Sequence, residues 1–191
     1  MKKCLIGSLL LLIILVLPAQ RRAAETFRLV HSDKLFLNRT ETEQVLELNG
    51  NVHFFYGKTE FKANRALILD TSKIARLTGN VVVANDTLTL SADSLAYYRN
   101  SQQMNLGGRV RIDEVKPDGS QRWFSSDFAN YDQLNQKLTT WGNVKAYDLM
   151  ENAFASCGYA FWDRKAGYAY MIENPRLHTG SPDTLFIAAE R

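Results

Sequence analysis

The fold of this 191-residue chain is decided by the stretch Leu90-Ser91-Ala92-Asp93-Ser94-Leu95-Ala96-Tyr97, which leads on to Leu106-Gly107-Gly108-Arg109-Val110. Apolar residues alternate with polar ones in both segments, which is typical of β-strands that bury one face. The alternation changes phase at Ala92-Asp93, so the apolar residues before and after this step would lie on opposite faces. A regular strand does not switch faces, and we therefore predict a bulge or corner at this step.

The same features recur along the chain and define a repeat of 29–34 residues. Gly-Asn-Val begins at Gly50, Gly79 and Gly142, and Gly108-Arg109-Val110 fills the gap. Each glycine is on the apolar face, where a missing side chain lets the strand bend or lets another backbone approach. A second marker precedes each copy in a constant phase: Ser32-Asp33, Ala63-Asn64, Ala92-Asp93, Ser126-Asp127, Cys157-Gly158 and Ala189-Glu190. The two markers together indicate about five β copies and a sixth that stops as it begins.

Polar bends separate the strands of these copies. Bends are expected at 70–73, 99–102, 132–135 and 163–166, with shorter links at 56–58 and 85–86. The longest copy has its additional residues at 113–122, which indicates an exposed turn there. No helical periodicity follows residue 25. Each copy therefore supplies two strands with an apolar row that only stacked copies can bury.

The N-terminus has the pattern of an export signal. Two lysines precede an apolar run of 14 residues, from Cys4 to Leu17. As a helix this run would span roughly 21 Å, less than the about 30 Å of a bilayer's hydrocarbon core. We therefore predict an N-terminal signal helix at 1–24, with a cleaved signal peptide favoured over an inner-membrane anchor. The β-repeat domain at 25–191 would then be periplasmic.

The charge and the cysteine content argue against several classes of function. The net charge is +3, but the first 22 residues contain four basic residues and no acidic ones. The remaining 19 basic and 20 acidic residues form no basic patch, so no nucleic-acid partner is expected. The histidines lack ligand spacing, and we predict no metal, no cofactor and no catalytic residue. Cys157 is expected to be a buried structural residue.

The phased motifs resemble those of the OstA-like (organic solvent tolerance, LptA/LptC-type) lipopolysaccharide-transport family, in its N-terminal domain. The resemblance covers roughly Arg28 to Arg191 and is clearest from Leu90 to Val110. It implies an all-β fold, a partly open β-jellyroll (β-taco) built from stacked repeats of about 30 residues. It also implies a non-enzymatic periplasmic component of lipopolysaccharide transport to the outer membrane.

The resemblance further implies a ligand and a mode of assembly. The ligand would be lipopolysaccharide, with its lipid A acyl chains in an apolar groove. Homologous β-jellyroll proteins, or further copies of this chain, would join end to end by edge-strand addition. The implied groove residues are Leu48, Val52, Phe54, Phe61, Leu77, Val81, Val83, Leu90, Leu106, Val110 and Ile112. On the residues alone, a packed core is favoured for each of these side chains, and the resemblance favours lipid contact for the set as a whole.

The last third of the chain departs from the pattern. Cys157-Gly158 replaces the small-Asp step, and Glu173-Asn174-Pro175 replaces Gly-Asn-Val. Pro175 has no N–H to donate, so its strand should lie at an edge or stop pairing there. Residues 185–191 begin another copy and end at its corner. We therefore expect either a longer array or an unpaired edge that a partner covers.

Two other classes of function are compatible with exported β repeats. A structural β-solenoid or cell-envelope scaffold would have a filled core and no ligand. A carbohydrate-active β-helix enzyme would need clustered carboxylates beside aromatic platforms, whereas the acidic residues here are spread through turns. The outward aromatic residues Tyr98, Trp123 and Trp141 are expected to form cross-strand pairs. We favour the transport component and keep the scaffold as the alternative.

Overall fold

The structure, a computed structural model, describes residues 26–180 and 186–189. These residues form a single antiparallel sheet of thirteen strands. The predicted signal helix or anchor at 1–24 lies outside the described residues. Over the described ranges, the chain contains no helix with the length and apolar character needed to cross a membrane.

The strands follow one another as a meander. They are β1 (Phe27–His31), β2 (Lys34–Arg39), β3 (Gln44–Tyr56), β4 (Thr59–Leu69), β5 (Ile74–Ala84), β6 (Leu88–Tyr98), β7 (Gln103–Val115), β8 (Gln121–Asp132), β9 (Lys137–Asp148), β10 (Ala153–Asp163), β11 (Tyr168–Ile172), β12 (Arg176–Thr179) and β13 (Phe186–Ala188). From β3 to β10 each strand pairs with the next. β1 and β2 lie along the two halves of β3, and β11 and β12 lie along the two halves of β10.

The predicted all-β architecture and its hairpins are confirmed. Turns join the strands at 70–73, 99–102, 133–136 and 164–167, within one residue of the predicted bends. The additional residues of the longest copy extend β7 and β8, and they end in a turn closed by the Lys116 N–H, which donates to the Ser120 carbonyl at 2.8 Å. The repeat therefore corresponds to one strand pair, as its sequence period predicts.

Each corner results from a mismatch in residue count between neighbouring strands. Leu77 and Val81 of β5 are four residues apart, but their partners Leu95 and Ala92 on β6 are only three apart. The strand with the larger count accommodates the difference with two successive left-handed residues. The four repeat glycines have φ values of 74–78°, and the residues after them have values of 45–50°. This bulge changes the phase of the apolar row at the predicted step.

The repeat glycine makes room for a side chain of the preceding strand. A Cβ added to Gly108 would lie 2.9 Å from the Cβ of Asp93. The Nε of Arg109 donates to Asp93 Oδ1 at 2.9 Å, and in another copy Asn143 Nδ2 donates to Asp127 Oδ2 at 2.8 Å. The sequence predicts a bend or the approach of another backbone at this position. The structure corrects this, because the group that approaches is the side chain of the second marker, an aspartate at three corners and Asn64 at Gly79.

The corners double the meander into two layers that face each other. Phe61 on β4 is paired with Val83 on β5, and Val83 is paired with Leu90 on β6. Phe61 and Leu90 therefore lie at the same height along the sheet. Tyr97 lies further along β6, and in a flat sheet the rise of about 3.3 Å per residue would put it roughly 23 Å from that level. The Phe61 and Tyr97 ring centroids are nevertheless 5.8 Å apart. The sheet must therefore fold over between them.

The doubled sheet has an upper and a lower layer. The upper layer contains Phe61 and Phe124, and the lower layer contains Tyr97 and Trp162. Phe124 and Trp162 contact each other across the layers at 5.5 Å. The corners run along one long side of the interior. The opposite side, where the hairpin turns of the two layers meet, is the mouth.

The last copy keeps its corner although it lacks both markers. Gly158 is at the position of the acidic residue, and Glu173 has a left-handed φ of 64° at the position of the glycine. A Cβ added to Gly158 would lie 2.6 Å from the Cβ of Glu173, so the small and the acidic residue have exchanged places. The Gly158 N–H donates to the Glu173 carbonyl at 2.8 Å, the same bond that Asp33 makes to Gly50 at 2.9 Å.

Pro175 interrupts the ladder, as its missing N–H predicts. β11 pairs with β10 up to Ile172, and β12 resumes pairing with β10 at Arg176. Pro175 lies in the gap and contributes only its carbonyl, which accepts from the Ala189 N–H at 3.2 Å. The beginning of the sixth copy is thus attached to the sheet through β12 and β13.

Replacing Gly108 by alanine is expected to destabilise the protein more than replacing Gly119. Both glycines have positive φ values, 77° and 83°, so each substitution adds backbone strain of about 1–2 kcal/mol. Only a side chain at Gly108 also collides with Asp93, because no atom lies within 4 Å of the added Cβ at Gly119. We expect Gly108→Ala to lower the free energy of unfolding by about 3 kcal/mol or more in urea denaturation. Equal losses would show that the corner contact does not require glycine.

The exchanged pair in the last copy predicts a rescue. Gly158→Asp would drive a side chain into the space of Glu173 and lower the free energy of unfolding by about 2–3 kcal/mol. The double variant Gly158→Asp/Glu173→Gly recreates the arrangement of the other corners and should recover most of that loss. Thermal unfolding of both variants and of Glu173→Gly measures the coupling. A double variant as unstable as Gly158→Asp would contradict the assignment.

Candidate functional site: the apolar interior and its mouth

All eleven residues predicted for the groove line the interior between the layers. The upper layer contributes Val52, Phe54, Phe61, Val81, Val83, Leu90, Val110 and Ile112, and the lower layer contributes Leu48, Leu77 and Leu106. Each of them is at most 4% exposed. They converge because each corner turns the apolar rows of both layers towards the same space.

The interior is filled in this conformation. Phe54 stacks on Phe61 with a centroid distance of 4.9 Å, and Phe61 contacts Tyr97 across the layers. Beside Phe124 and Trp162 the remaining space is about 20 Å³, room for about one water molecule. The groove residues therefore pack against one another, and an acyl chain could enter only if the layers moved apart.

The inward rows are uncovered at the two ends of the sheet. Leu35 and Leu37 of β2 pair with inward residues of β3, yet they are 50% and 64% exposed. At the other end, the exposed Ala169 of β11 pairs with the inward Trp162. The interior is thus closed along its middle and open at both terminal strands.

A larger depression lies on the outer face of the lower layer and is separate from the predicted groove. It has a volume of about 500 Å³ and is bordered by Phe128 and Trp141, whose rings stack at 5.8 Å. Trp123 and Tyr147 lie 6.1 Å apart on the outer face of the upper layer. Both pairs join β8 to β9, as predicted for the outward tryptophans.

Three charged residues join the layers at the mouth. Glu114 and Arg122 belong to β7 and β8 of the upper layer, and Arg164 follows β10 of the lower layer. Arg122 Nε lies 2.7 Å from Glu114 Oε2, and Arg164 Nη2 lies 2.6 Å from Glu114 Oε1. Glu114 is 5% exposed, whereas Arg122 and Arg164 are 20% and 32% exposed. One buried carboxylate thus holds two guanidinium groups that reach solvent.

Aromatic rings support this charged cluster from the inside. The guanidinium carbons of Arg122 and Arg164 lie 4.1 Å and 5.2 Å from the Trp162 ring centroid, a geometry that favours cation–π attraction. Tyr131 is partly buried next to Arg164, and burial raises its pKa. Its hydroxyl therefore remains protonated at neutral pH. The cluster therefore has an aromatic side that faces the interior and a side that is exposed to solvent.

A third arginine crosses the mouth nearer to β3. Arg99 Nη2 donates to the Leu69 carbonyl at 3.1 Å and to Asp70 Oδ1 at 3.2 Å. Its guanidinium carbon lies 5.5 Å from the ring centroid of Tyr56 in the upper layer. Tyr56 in turn contacts Tyr97 at 6.3 Å. The mouth is therefore held by side chains, whereas the opposite side is held by continuous backbone.

The cysteine and the histidines show no catalytic or metal-binding arrangement in the described part of the chain. Burial raises the pKa of the Cys157 thiol, which fits the predicted structural role. His31 pairs with Asp33 and His53 pairs with Glu60. Among the residues that the structure describes, no group of His, Cys, Asp and Glu could hold a metal ion.

Sequence reasoning missed the charged cluster at the mouth. Glu114 continues the inward row of Val110 and Ile112, and Arg164 continues the inward row of Trp162. A charged residue at an inward position was the available signal, but the rows were followed only as far as their apolar members. The pairing itself joins residues that are 50 positions apart and depends on the doubling of the sheet.

Comparisons with known proteins agree with this architecture. The doubled antiparallel sheet around one apolar interior places the protein among the β-jellyrolls. The model of the OstA-like protein family matches residues 25–145, and the chain belongs to that family. No curated protein matches the sequence.

A solved structure has a similar fold. It is the crystal structure of LptH from Pseudomonas aeruginosa, described as the LptA homologous periplasmic component of the conserved lipopolysaccharide transport device. The TM-score is 0.55 at 13% sequence identity, over 70% of this chain and 94% of that chain. The likeness at this identity is one of fold.

Proposed function

We propose that this protein is a non-enzymatic periplasmic component of lipopolysaccharide transport to the outer membrane. It binds lipid A acyl chains between its two layers and joins homologous β-jellyroll domains, or further copies of itself, end to end. One observation carries the proposal: a chain of the OstA-like family has an apolar interior that spans its doubled sheet, with uncovered inward residues at both ends. The fold shared with LptH supports it.

Binding an acyl chain requires the layers to separate at the mouth. Apolar burial is worth roughly 25 cal/mol per Å², whether the partner is a side chain or a lipid chain. An inserted chain therefore replaces contacts such as Phe61–Tyr97 at little net loss. The ladder hydrogen bonds run between neighbouring strands within each layer, so they survive the opening. The corners act as the hinge in this proposal.

Photo-crosslinking probes at inward positions are expected to capture lipopolysaccharide in cells that export it. Probes at Val81 and Val110 point into the interior, because both side chains are at most 2% exposed. Probes at Val82 and Arg111, one residue further along the same strands, point outwards. We expect lipid adducts from the inward pair and at most background from the outward pair.

Large probes at fully buried positions can disturb folding, so half-buried inward positions provide a second set. Leu46 and Leu88 pack against the core without being part of its fully buried centre. Folded protein with adducts at none of the four inward positions would contradict the proposed lipid binding. Adducts that appear equally at Val82 and Arg111 would do so as well, since they would indicate contact with the outer surface.

End-to-end joining is expected to depend on the exposed apolar residues of the first edge. Leu35→Lys/Leu37→Lys places charge on an edge strand whose side chains are half or more exposed, and lysine on an edge opposes strand addition. We expect self-association to weaken at least about tenfold in sedimentation velocity. Leu149→Lys/Met150→Lys is the control, because these residues, 49% and 65% exposed, lie in a turn. Equal association of both variants and the parent would contradict joining at this edge.

The structural scaffold is the second candidate function. The filled interior favours it, because the eleven groove residues already bury one another to 4% exposure or less. A scaffold would show the self-association expected above and no lipid adducts from folded protein. The crosslinking experiment therefore separates the two functions.

A further inference from the structure

We infer that Arg122 and Arg164 bind the phosphate headgroup of an amphiphile, and that Glu114 occupies this anion site while no ligand is bound. The inference rests on the proposed function, because chains held in the interior would place their headgroup at the mouth. It names the chemistry of that headgroup and the residues that hold it.

The cluster has more positive charge than its own carboxylate neutralises. Two guanidinium groups share Glu114, which leaves one net positive charge. The neighbouring pairs Lys116–Asp148 and Lys137–Asp163 are each neutral in themselves, with N–O distances of 2.6 and 3.4 Å. A phosphate carries more negative charge than one carboxylate, so in its place it would balance both guanidinium groups.

The arginines carry more hydrogen-bond donors than one carboxylate can accept from. Each guanidinium has five N–H groups in a rigid fork; Arg122 Nε and Arg164 Nη2 lie against Glu114, and Arg164 also hydrogen-bonds to the Tyr131 side chain. Arginine pairs bidentately with phosphate oxygens, at distances like those seen here to the carboxylate. A phosphate at this position could accept hydrogen bonds from both guanidinium groups. A single carboxylate has only two oxygens and cannot accept from all of their N–H groups.

The exposure of the three side chains determines which of them a ligand from solvent meets first. Glu114 is 5% exposed, while Arg122 and Arg164 are 20% and 32% exposed. An anion that arrives from solvent meets the guanidinium groups first. The carboxylate behind them keeps the forks oriented, because an isolated buried charge would be unfavourable.

The walls next to the arginines suit an alkyl chain. Leu88, Leu90 and Ile112 of the upper layer lie beside the cluster, together with Trp162 of the lower layer. The charged groups that would hold the headgroup and the apolar wall that would hold the chain are thus adjacent at one place along the mouth. Arg164 also links the layers through Glu114, so a phosphate that displaces the carboxylate removes one of the contacts that hold the mouth closed.

The outer face provides a matched control for this chemistry. The Arg111 guanidinium carbon lies 4.1 Å from the Trp123 ring centroid, and its Nη2 lies 2.7 Å from Asp113 Oδ1. Arg122 has the same distances to Trp162 and Glu114. Arg111 faces solvent on the outside of the layer and is paired one to one. Arg111→Gln therefore removes equal charge without touching the mouth.

The test is calorimetric titration of the folded full chain with three probes. They are dodecyl phosphate, dodecyl maltoside at equal chain length, and inorganic phosphate, each below the concentration of micelle formation. We expect dodecyl phosphate to bind at least about tenfold more tightly than dodecyl maltoside, since a charge-assisted hydrogen bond is worth about that ratio. Arg164→Gln should remove this preference, and Arg111→Gln should keep it.

A second variant keeps the test independent of folding defects. Arg164→Gln leaves Glu114 and Arg122 as a balanced pair, and thermal unfolding checks that it folds. Glu114→Gln removes the resident anion at nearly constant shape. It is expected to tighten dodecyl phosphate binding several-fold and to leave dodecyl maltoside binding unchanged, whereas a purely structural salt bridge would weaken both.

The outcomes separate this inference from the proposed function. If both amphiphiles bind equally and Arg164→Gln changes neither affinity, the headgroup site is refuted and lipid binding stands. Inorganic phosphate that binds as tightly as dodecyl phosphate would also refute it, because the site would then recognise a free anion. If neither amphiphile binds, lipid binding by the interior fails.

Discussion

The contact between a glycine and an Asp, Asn or Glu side chain of the neighbouring strand at each corner is the constraint on which the rest of the structure depends. The glycine must be left-handed and must lack a Cβ, since Asp93 fills that space at Gly108. The pair of left-handed residues adds one residue to its strand and so rotates the apolar rows into one interior. Repetition at every strand pair doubles the whole sheet. The exchange of Gly158 and Glu173 shows that the contact itself is kept, not the residue order.

The two long sides of the interior are held by different forces. The corner side consists of continuous strands with ladder hydrogen bonds and buried small residues such as Ala66 and Ala92. The mouth is held by rings and ion pairs, of which Arg99–Tyr56 and Arg164–Glu114 cross between the layers. Contacts of the second kind can exchange for contacts with a ligand, whereas ladder hydrogen bonds have no such substitute. The architecture therefore has one side that is fixed by backbone hydrogen bonds and one side whose side-chain contacts can be exchanged.

The strands, the corners and the composition of the interior were predictable because each depends on a local pattern. Alternation around Leu90 and Leu106 gave the faces, and the phase change at Ala92-Asp93 gave the bulge. The role of Gly108 was only partly predictable, since the side chain that needs its space belongs to the preceding strand. The cluster around Glu114 could not be predicted from the sequence for the same reason. Its partners come from different layers, and only the folded sheet brings them together.

In the proposed function, the interior and the mouth would divide the recognition of an amphiphile between them. Aliphatic walls accept any alkyl chain, because apolar burial has no directional preference. Selectivity must therefore come from groups with fixed geometry, and the described part of the interior offers these in the guanidinium forks at Glu114. A stability role alone would require only one arginine for one carboxylate. The second arginine brings the positive charge of the cluster above what one carboxylate neutralises, and such an excess at the edge of an apolar interior is suited to a ligand that carries both an anion and a chain.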